Sequence, residues 1–506
     1  MEYIVTVKDP LVWDTLWSEL TVNGLGDNFI PDRAVHVINE RPFNDYSAHF
    51  DLTDEEAEQL RQDSRIAAVE LQADQQPGVE KRFYGQRPGN YDRNPYSTTA
   101  SMKNWGLMRC THRDDPYGVQ TSLNTNFNYN LDGTGVDIIF LDSGIEADHP
   151  EFAVNPDGTG GSRVIDFNWH SLGVPGVQPS SYYGGYLGDS DGHGSNCASI
   201  AAGNTCGWAP SANIYSIRIF GGSSIRTGQY LNAIPSDFAF DLVRAFHLKK
   251  IAEGNTRPTI CSNSWGYYSS YSGMTSTTYR GQTYPTSSFN SNYGQVTSIH
   301  GARITYVDSS VENCGAAGVI LVGAAGNYRH KIDVPGGIDY NNYWSGSWGQ
   351  TYYHRGSSPT ATPCMINVGA TDSILTNPPI ERKAYFSETG PRVDVYAPGT
   401  MIMGAYANKP YQTMAVPDPR KAGYYLNKLS GTSMACPQVS GYIACLLQLR
   451  PGSTVNNIKT FIAETSNKNK LDEGALSWTN LYSLQGGTNN YLYTPFTDPS
   501  RGSITS

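Results

Sequence analysis

The sequence has no basic run: 36 lysines and arginines stand against 46 aspartates and glutamates in 506 residues, a formal charge of −10. Nothing in it neutralises a row of phosphates, which argues against nucleic acid as a partner. No uninterrupted apolar run reaches the length of a membrane span, so no membrane partner is expected either. Met1-Glu2-Tyr3-Ile4-Val5-Thr6-Val7-Lys8 lacks a basic segment followed by an apolar one. With no secretory leader in view, the expected location is cytoplasmic or virus-associated in preference to classically secreted. Neither His-Glu-x-x-His nor Cys-x-x-Cys occurs, so zinc has no recognisable site. The eight cysteines are scattered along the chain and read as reduced, buried thiols rather than a disulfide framework.

What the chain does contain is 39% hydrophobic and 12% aromatic residues, over a length that accommodates one large core and a smaller domain. Its most informative stretch is Gly431-Thr432-Ser433-Met434-Ala435-Cys436-Pro437, which runs into Val439, Ile443, Leu446 and Leu447 at helical spacing and closes at Arg450-Pro451. This predicts a sharp turn feeding a buried helix, with Pro437 in the first helical turn, where a missing N–H costs nothing. Ser433 then stands at a helix N-terminus, where unpaired N–H groups favour a developing negative charge. Alone, it would be an ordinary N-cap.

Three segments upstream change that reading. Gly135 to Leu141 reads as a buried parallel strand with a carboxylate, Asp142, at its C-terminal end. Asp191-Gly192-His193-Gly194 leaves room on both sides of an imidazole, as a base in contact with nucleophile and substrate requires. A helix over 307–317 and a strand over 318–323 lead to Ala324-Ala325-Gly326-Asn327, where the asparagine would otherwise be a turn residue.

Asp, then His, then Ser, each within these motifs, resembles the subtilisin-like serine proteases, and Trp105-Gly106-Leu107 resembles their proteinase K-like type. The resemblance covers roughly residues 1–465 and rests on the co-occurrence of short motifs. It implies an α/β, three-layer core with a mostly parallel sheet. By it, Ser433 is the nucleophile, His193 the base, Asp142 the group that orients the base, and Asn327 with the Ser433 N–H the oxyanion hole. It also implies that Ser264-Trp265-Gly266 and Ala324-Ala325-Gly326 line a bound polypeptide substrate. Ser195-Asn196 departs from the family's usual Thr-His.

Residues 1–72 alternate as β-α-β-β-α-β, which suggests a small α+β ferredoxin-like sheet. Placed before such a core, it resembles the family's inhibitory chaperone prodomain. The expected organisation is a prodomain over 1–78, cut between about Gln76 and Phe83, a turn-rich linker over 79–103, a catalytic domain over 104–470 and a polar tail over 471–506. Residues 267–304 and 328–363 read as insertions without a helical period. The function implied is that of a serine endopeptidase made as an autoprocessed zymogen, with polypeptides as substrates, its own prodomain as inhibitor and no required cofactor. The alternative is a catalytically silent structural or assembly protein of the same fold. Glu151 falls where many subtilisins bind calcium, but Asn204-Thr205-Cys206-Gly207 is too short for their calcium loop and resembles the shorter proteinase K-like version, so structural calcium stays open by the resemblance without a recognisable site. Cys197, four residues after His193, is either a small buried hydrophobe or, by resemblance to thiol-dependent proteinase K-like members, a sulfur whose modification disturbs the base.

Overall fold

The computed structural model describes residues 1–22, 33–39, 47–71, 85–94, 102–285, 289–346, 349–373, 379–406, 415–475 and 477–497. They fall into two compact units, Met1–Phe83 and Tyr84–Ser506. The expected cleavage region, 76–83, lies outside the described residues.

In the first unit β1 (Glu2–Val7) turns Tyr3, Val5 and Val7 inward at the period of two that a half-buried strand requires. It is followed by α1 (Trp13–Thr21), β2 (His36–Asn39), β3 (Ser47–Asp51), α2 (Asp54–Leu60) and β4 (Ile66–Leu71). The strands pair antiparallel in the order β2-β3-β1-β4, the ferredoxin-like arrangement expected. Thr53 starts α2 through a reciprocal capping box with Glu56. Leu16, Leu20, Ala57 and Leu60 of the helices share one core with Val5, Phe50 and Val69.

The second unit is built on an eight-stranded sheet. Its strands are β5 (Asp137–Asp142), β6 (Asn213–Arg218), β7 (Thr259–Asn263), β8 (Ile320–Ala324), β9 (Met365–Thr371), β10 (Val395–Pro398), β11 (Asn467–Lys468) and β12 (Asn490–Tyr491), in the order β11-β12-β10-β9-β8-β7-β5-β6. Only β11 and β12 pair antiparallel. Alternate residues feed opposite faces: Ile138, Phe140, Ile260, Val322 and Val368 belong to one core, and Ile139, Leu141, Cys261, Leu321 and Met365 to the other. The first face carries α3 (His193–Ala202), α6 (Thr432–Leu449) and α7 (Val455–Thr465); the second carries α4 (Ser236–Ala252) and α5 (Thr305–Ala316). This is the three-layer α/β core expected. All eight cysteines are unpaired thiols and seven are buried. No helix among the described residues is long and apolar enough to cross a membrane.

Three stretches differ from expectation. Within the supposed linker, Gly85–Asp92 is a strand paired along its whole length with Ser122–Tyr129. The supposed tail supplies β12 to the main sheet and buries Leu484, Tyr491, Leu492, Tyr493 and Phe496, apolar residues hidden among Gly, Asn and Thr. The two insertions form a single four-stranded sheet, in the order Gln282–Pro285, Met274–Tyr279, Tyr343–Gly346, Gly349–Tyr352. Tyr271, Met274, Trp344 and Tyr353 make its core.

Candidate active site

β5 delivers Asp142 to the edge of the core, and the chain leaves through Gly144 at φ 108°, where a Cβ would stand 2.0 Å from Gly188 O. The turn before α3 is joined to this one by Asp189. Its buried carboxylate accepts from the N–H groups of Asp191, Gly192 and Ser195 and from the hydroxyls of Ser195 and Ser143, at 2.6–3.0 Å. Gly194 N–H donates back to Ser143 Oγ at 2.9 Å. Ser195 and Asn196, the residues that depart from the family pattern, are both held: Glu146 N–H donates to Ser195 Oγ, and Asn196 Nδ2 donates to Ala405 O and Asn427 O. Sequence reasoning misses Asp189. Its only local signal is a carboxylate four residues ahead of the histidine in a run of Ser, Asp and Gly.

His193 opens α3, and its Nδ1 lies 2.8 Å from Asp142 Oδ1. Asp142 accepts Ser143 N–H as well, at 2.7 Å, which fixes the carboxylate plane. In the neutral ring, Nδ1–H given to Asp142 leaves Nε2 as the acceptor. Burial alone would push this imidazole down, but the Asp142 carboxylate holds it well above its ordinary value. Cys197 Sγ sits 3.8 Å from Nδ1, and burial pushes its thiol up, which favours the protonated sulfur.

Ser433 is the second residue of α6, after Gly431 as N-cap. Pro437 is the sixth residue of this helix, not part of its first turn as expected, and its missing N–H therefore removes the helical bond to Ser433 O. That carbonyl is satisfied from outside the helix, by Ser264 Oγ at 2.9 Å and Cys197 Sγ at 3.3 Å. Ser433 Oγ donates to Ser264 O at 3.0 Å. The thiol of Cys197 thus touches both the His193 ring and the Ser433 carbonyl, bringing the two predicted residues to opposite sides of one sulfur. The hydroxyl points at Ser264 rather than at the imidazole, in keeping with catalytic hydrogen bonds that tighten only around substrate.

Asn327 follows β8. Its Oδ1 accepts both Thr432 N–H and Thr432 Oγ1 at 2.9 Å, which sets the amide's orientation. Asn327 Nδ2 and Ser433 N each lie 3.5 Å from the point where a Cβ on Gly431 would stand. Two donors therefore converge on a space kept open by a glycine. Of the predicted wall residues, Ser264 engages Ser433 in both directions, and Trp265 packs among Phe220, Phe240 and Tyr267. Gly266 backs onto Ser357, with 2.6 Å from a virtual Cβ to Oγ. On the other wall Ala324 and Ala325 are buried, and Gly326 takes φ 123°.

Among the described residues, Asp142, His193 and Cys197 alone form a group whose ligand atoms could meet on one metal ion, all within 4.8 Å of one another. Glu151 is engaged elsewhere. Arg420 Nη2 lies 2.6 Å from its Oε1, and the N–H groups of Thr205 and Cys206 donate to Oε2. Burial opposes its ionisation, but Arg420 holds its carboxyl well below the usual range.

The model of the Subtilase family, peptidase S8, matches residues 133–483, more than half of the chain. This chain belongs to the subtilase family, the subtilisin-like serine proteases. Subtilisin-like protease 8 of Trichophyton verrucosum is 25% identical to this subtilase over 464 residues, 88% of this chain and 69% of the relative. The extracellular serine proteinase of Thermus sp. strain Rt41A is 25% identical over 446 residues, 88% and 75%. Proteinase R of Parengyodontium album is 26% identical over 391 residues, 76% and 70%. The chain spans 49% of the subtilisin-like serine protease pepC of Aspergillus niger and 75% of the Thermus enzyme. Among solved structures a cold-adapted subtilisin-like serine proteinase is 24% identical, with a TM-score of 0.47, over 77% of this subtilase and 97% of its own chain. The location expected from the first residues does not stand. A relative aligned over most of this subtilase is named an extracellular enzyme, and the opening residues carry no weight against it.

Proposed function

We propose that this subtilase is a serine endopeptidase in which Ser433 attacks the scissile carbonyl of a polypeptide. His193 Nε2 takes the hydroxyl proton and returns it to the leaving amine. Asp142 holds the imidazole in the required tautomer and stabilises it when charged. Asn327 Nδ2 and the Ser433 N–H receive the oxyanion, aided by the start of α6. The substrate backbone lies between Ser264–Gly266 and Ala324–Gly326. The observation that carries this reading is the convergence of an Asp142–His193 pair, a serine at a helix start and two N–H donors aimed at one open space.

A fluorophosphonate, which reacts only with an activated serine, is expected to label Ser433 in the wild type. A chain that resists it would be the silent, structural alternative. We further propose that residues 1–78 form an inhibitory, chaperone-like prodomain cut by the enzyme itself. N-terminal sequencing is expected to find a mature start between Gln76 and Lys103 in wild type and none in Ser433→Ala; full activity from an uncut chain would refute it. No cofactor is needed for this chemistry.

Cys197 gives a second test of the site. A mercurial on its sulfur would intrude between His193 Nδ1 and Ser433 O, and a displacement of about 1 Å in a catalytic group costs roughly a hundredfold. Cys197→Ala is expected to be resistant to mercurial inhibition and Cys436→Ala as sensitive as wild type, since Cys436 Sγ faces Ser262 and Asn263 O instead. Equal sensitivity of Cys197→Ala and wild type would dispose of the idea.

A further inference from the structure

Glu388 is wholly buried, and among the described residues neither of its carboxylate oxygens has a hydrogen-bond partner. Its N–H donates to Gly326 O at 2.9 Å. Its carboxyl group fills the space beside Gly326: a Cβ there would lie 2.6 Å from Cδ and 2.8 and 2.9 Å from the two oxygens. Gly326 immediately precedes Asn327, and its N–H donates to the Thr432 Oγ1 that orients the Asn327 amide. The titratable and charged groups facing Glu388 are Lys383 on its own loop and Tyr268 from the first insertion, with Arg329, beyond Asn327, acting in turn on Lys383. Lys383 Nζ is given to Ala384 O and Ser387 O.

We propose that Glu388 is a positioning residue for the reaction, held as a neutral acid behind Asn327, and that its ionisation sets the alkaline limit of turnover. The proposal rests on the reading of Ser433 as nucleophile and Asn327 as oxyanion donor. An ionised carboxylate buried without partners is costly, and burial pushes Glu388 up to about 8 against the pull of Lys383. Lys383 is itself pushed down to about 7 by burial and by Arg329, so its charge fades before Glu388 would use it. Once ionised, Glu388 sets a fixed negative charge behind the place where the tetrahedral intermediate builds its own, in surroundings that screen it poorly. Protonated, it leaves the field of the two donors intact.

The test is the pH dependence of kcat/KM for a neutral peptide anilide, normalised to enzyme titrated by a fluorophosphonate, in wild type, Glu388→Gln and Glu388→Met. The methionine variant guards against misfolding caused by a buried amide. Wild type is expected to lose activity with an apparent pKa near 8, on the order of tenfold once the group is ionised, and both variants to hold a plateau. The acid limb does not involve Glu388 and stays common to all three. Melting temperature gives a readout free of catalysis. A carboxyl raised from 4.5 to about 8 by folding contributes stability that is present below 4.5 and lost as the pH rises through about 8. Glu388→Gln should therefore gain on wild type across that interval. A wild type without an alkaline limb, or variants that keep the same limb, overturns the proposal while labelled Ser433 leaves the protease reading standing; failure of labelling overturns both.

Discussion

Ser433→Ala is expected to lose peptide hydrolysis by at least about 10⁴-fold and all fluorophosphonate labelling, while keeping its fold. Nothing that anchors this residue depends on its side chain except one hydrogen bond. The bonds from Ser264 Oγ and Cys197 Sγ end on the backbone carbonyl and survive the substitution. Alanine suits the first turn of a helix, and the lost bond from Oγ to Ser264 O costs about 1 kcal/mol. Melting temperature should therefore stay close to wild type while turnover vanishes. Hydrolysis at the wild-type rate would sink the assignment of the nucleophile.

Asn327→Leu is expected to lower kcat by about 10²–10³ with little change in KM, the magnitude the loss of this donor has in subtilisin, a member of the same family. The donor acts on charge that appears only in the transition state, so ground-state binding is spared. Leucine also abandons Thr432, whose N–H and hydroxyl both donate to Asn327 Oδ1, so a stability loss of about 1 kcal/mol accompanies it. Asn327→Asp separates the two effects: it keeps an acceptor for Thr432 yet sets a negative oxygen where Nδ2 stood. Its kcat should fall at least as far with little change in melting temperature. Either variant within threefold of wild-type kcat, to about the precision of such assays, would remove Asn327 from the oxyanion hole.

The parts of this molecule legible in its sequence are those where chemistry ties residue type to a few neighbours. Asp142 at a strand end, His193 between glycines, Asn327 after Ala-Ala-Gly and Ser433 before a buried helix each announce a local geometry. The central sheet announces itself through apolar runs that fill both faces. What stayed hidden depends on partners remote in sequence. The place of Pro437 in its helix shows only once Thr432 is seen to be the first helical residue, and the carbonyl it releases is satisfied from Ser264 and Cys197. Asp189 and Glu388 are both buried carboxylates, but five donors surround one and none the other. No composition rule distinguishes them. Tyr491 and Phe496 pass for a polar tail because their neighbours are Asn, Thr and Pro, although both are buried.

The shared sheet of the two insertions bears on descent. Each insertion brings one hairpin to this sheet, and a lone hairpin is marginal in water, whereas Thr277 against Trp344 joins them into four strands around a common core; the first insertion adds a separate pair, Tyr268–Ser270 with Ile299–Gly301. A chain that shed one would leave the other with a bare edge open to unwanted pairing. Selection therefore sees them as one character: lineages should carry both or neither, and swapping one between homologues should fail where exchanging the pair succeeds.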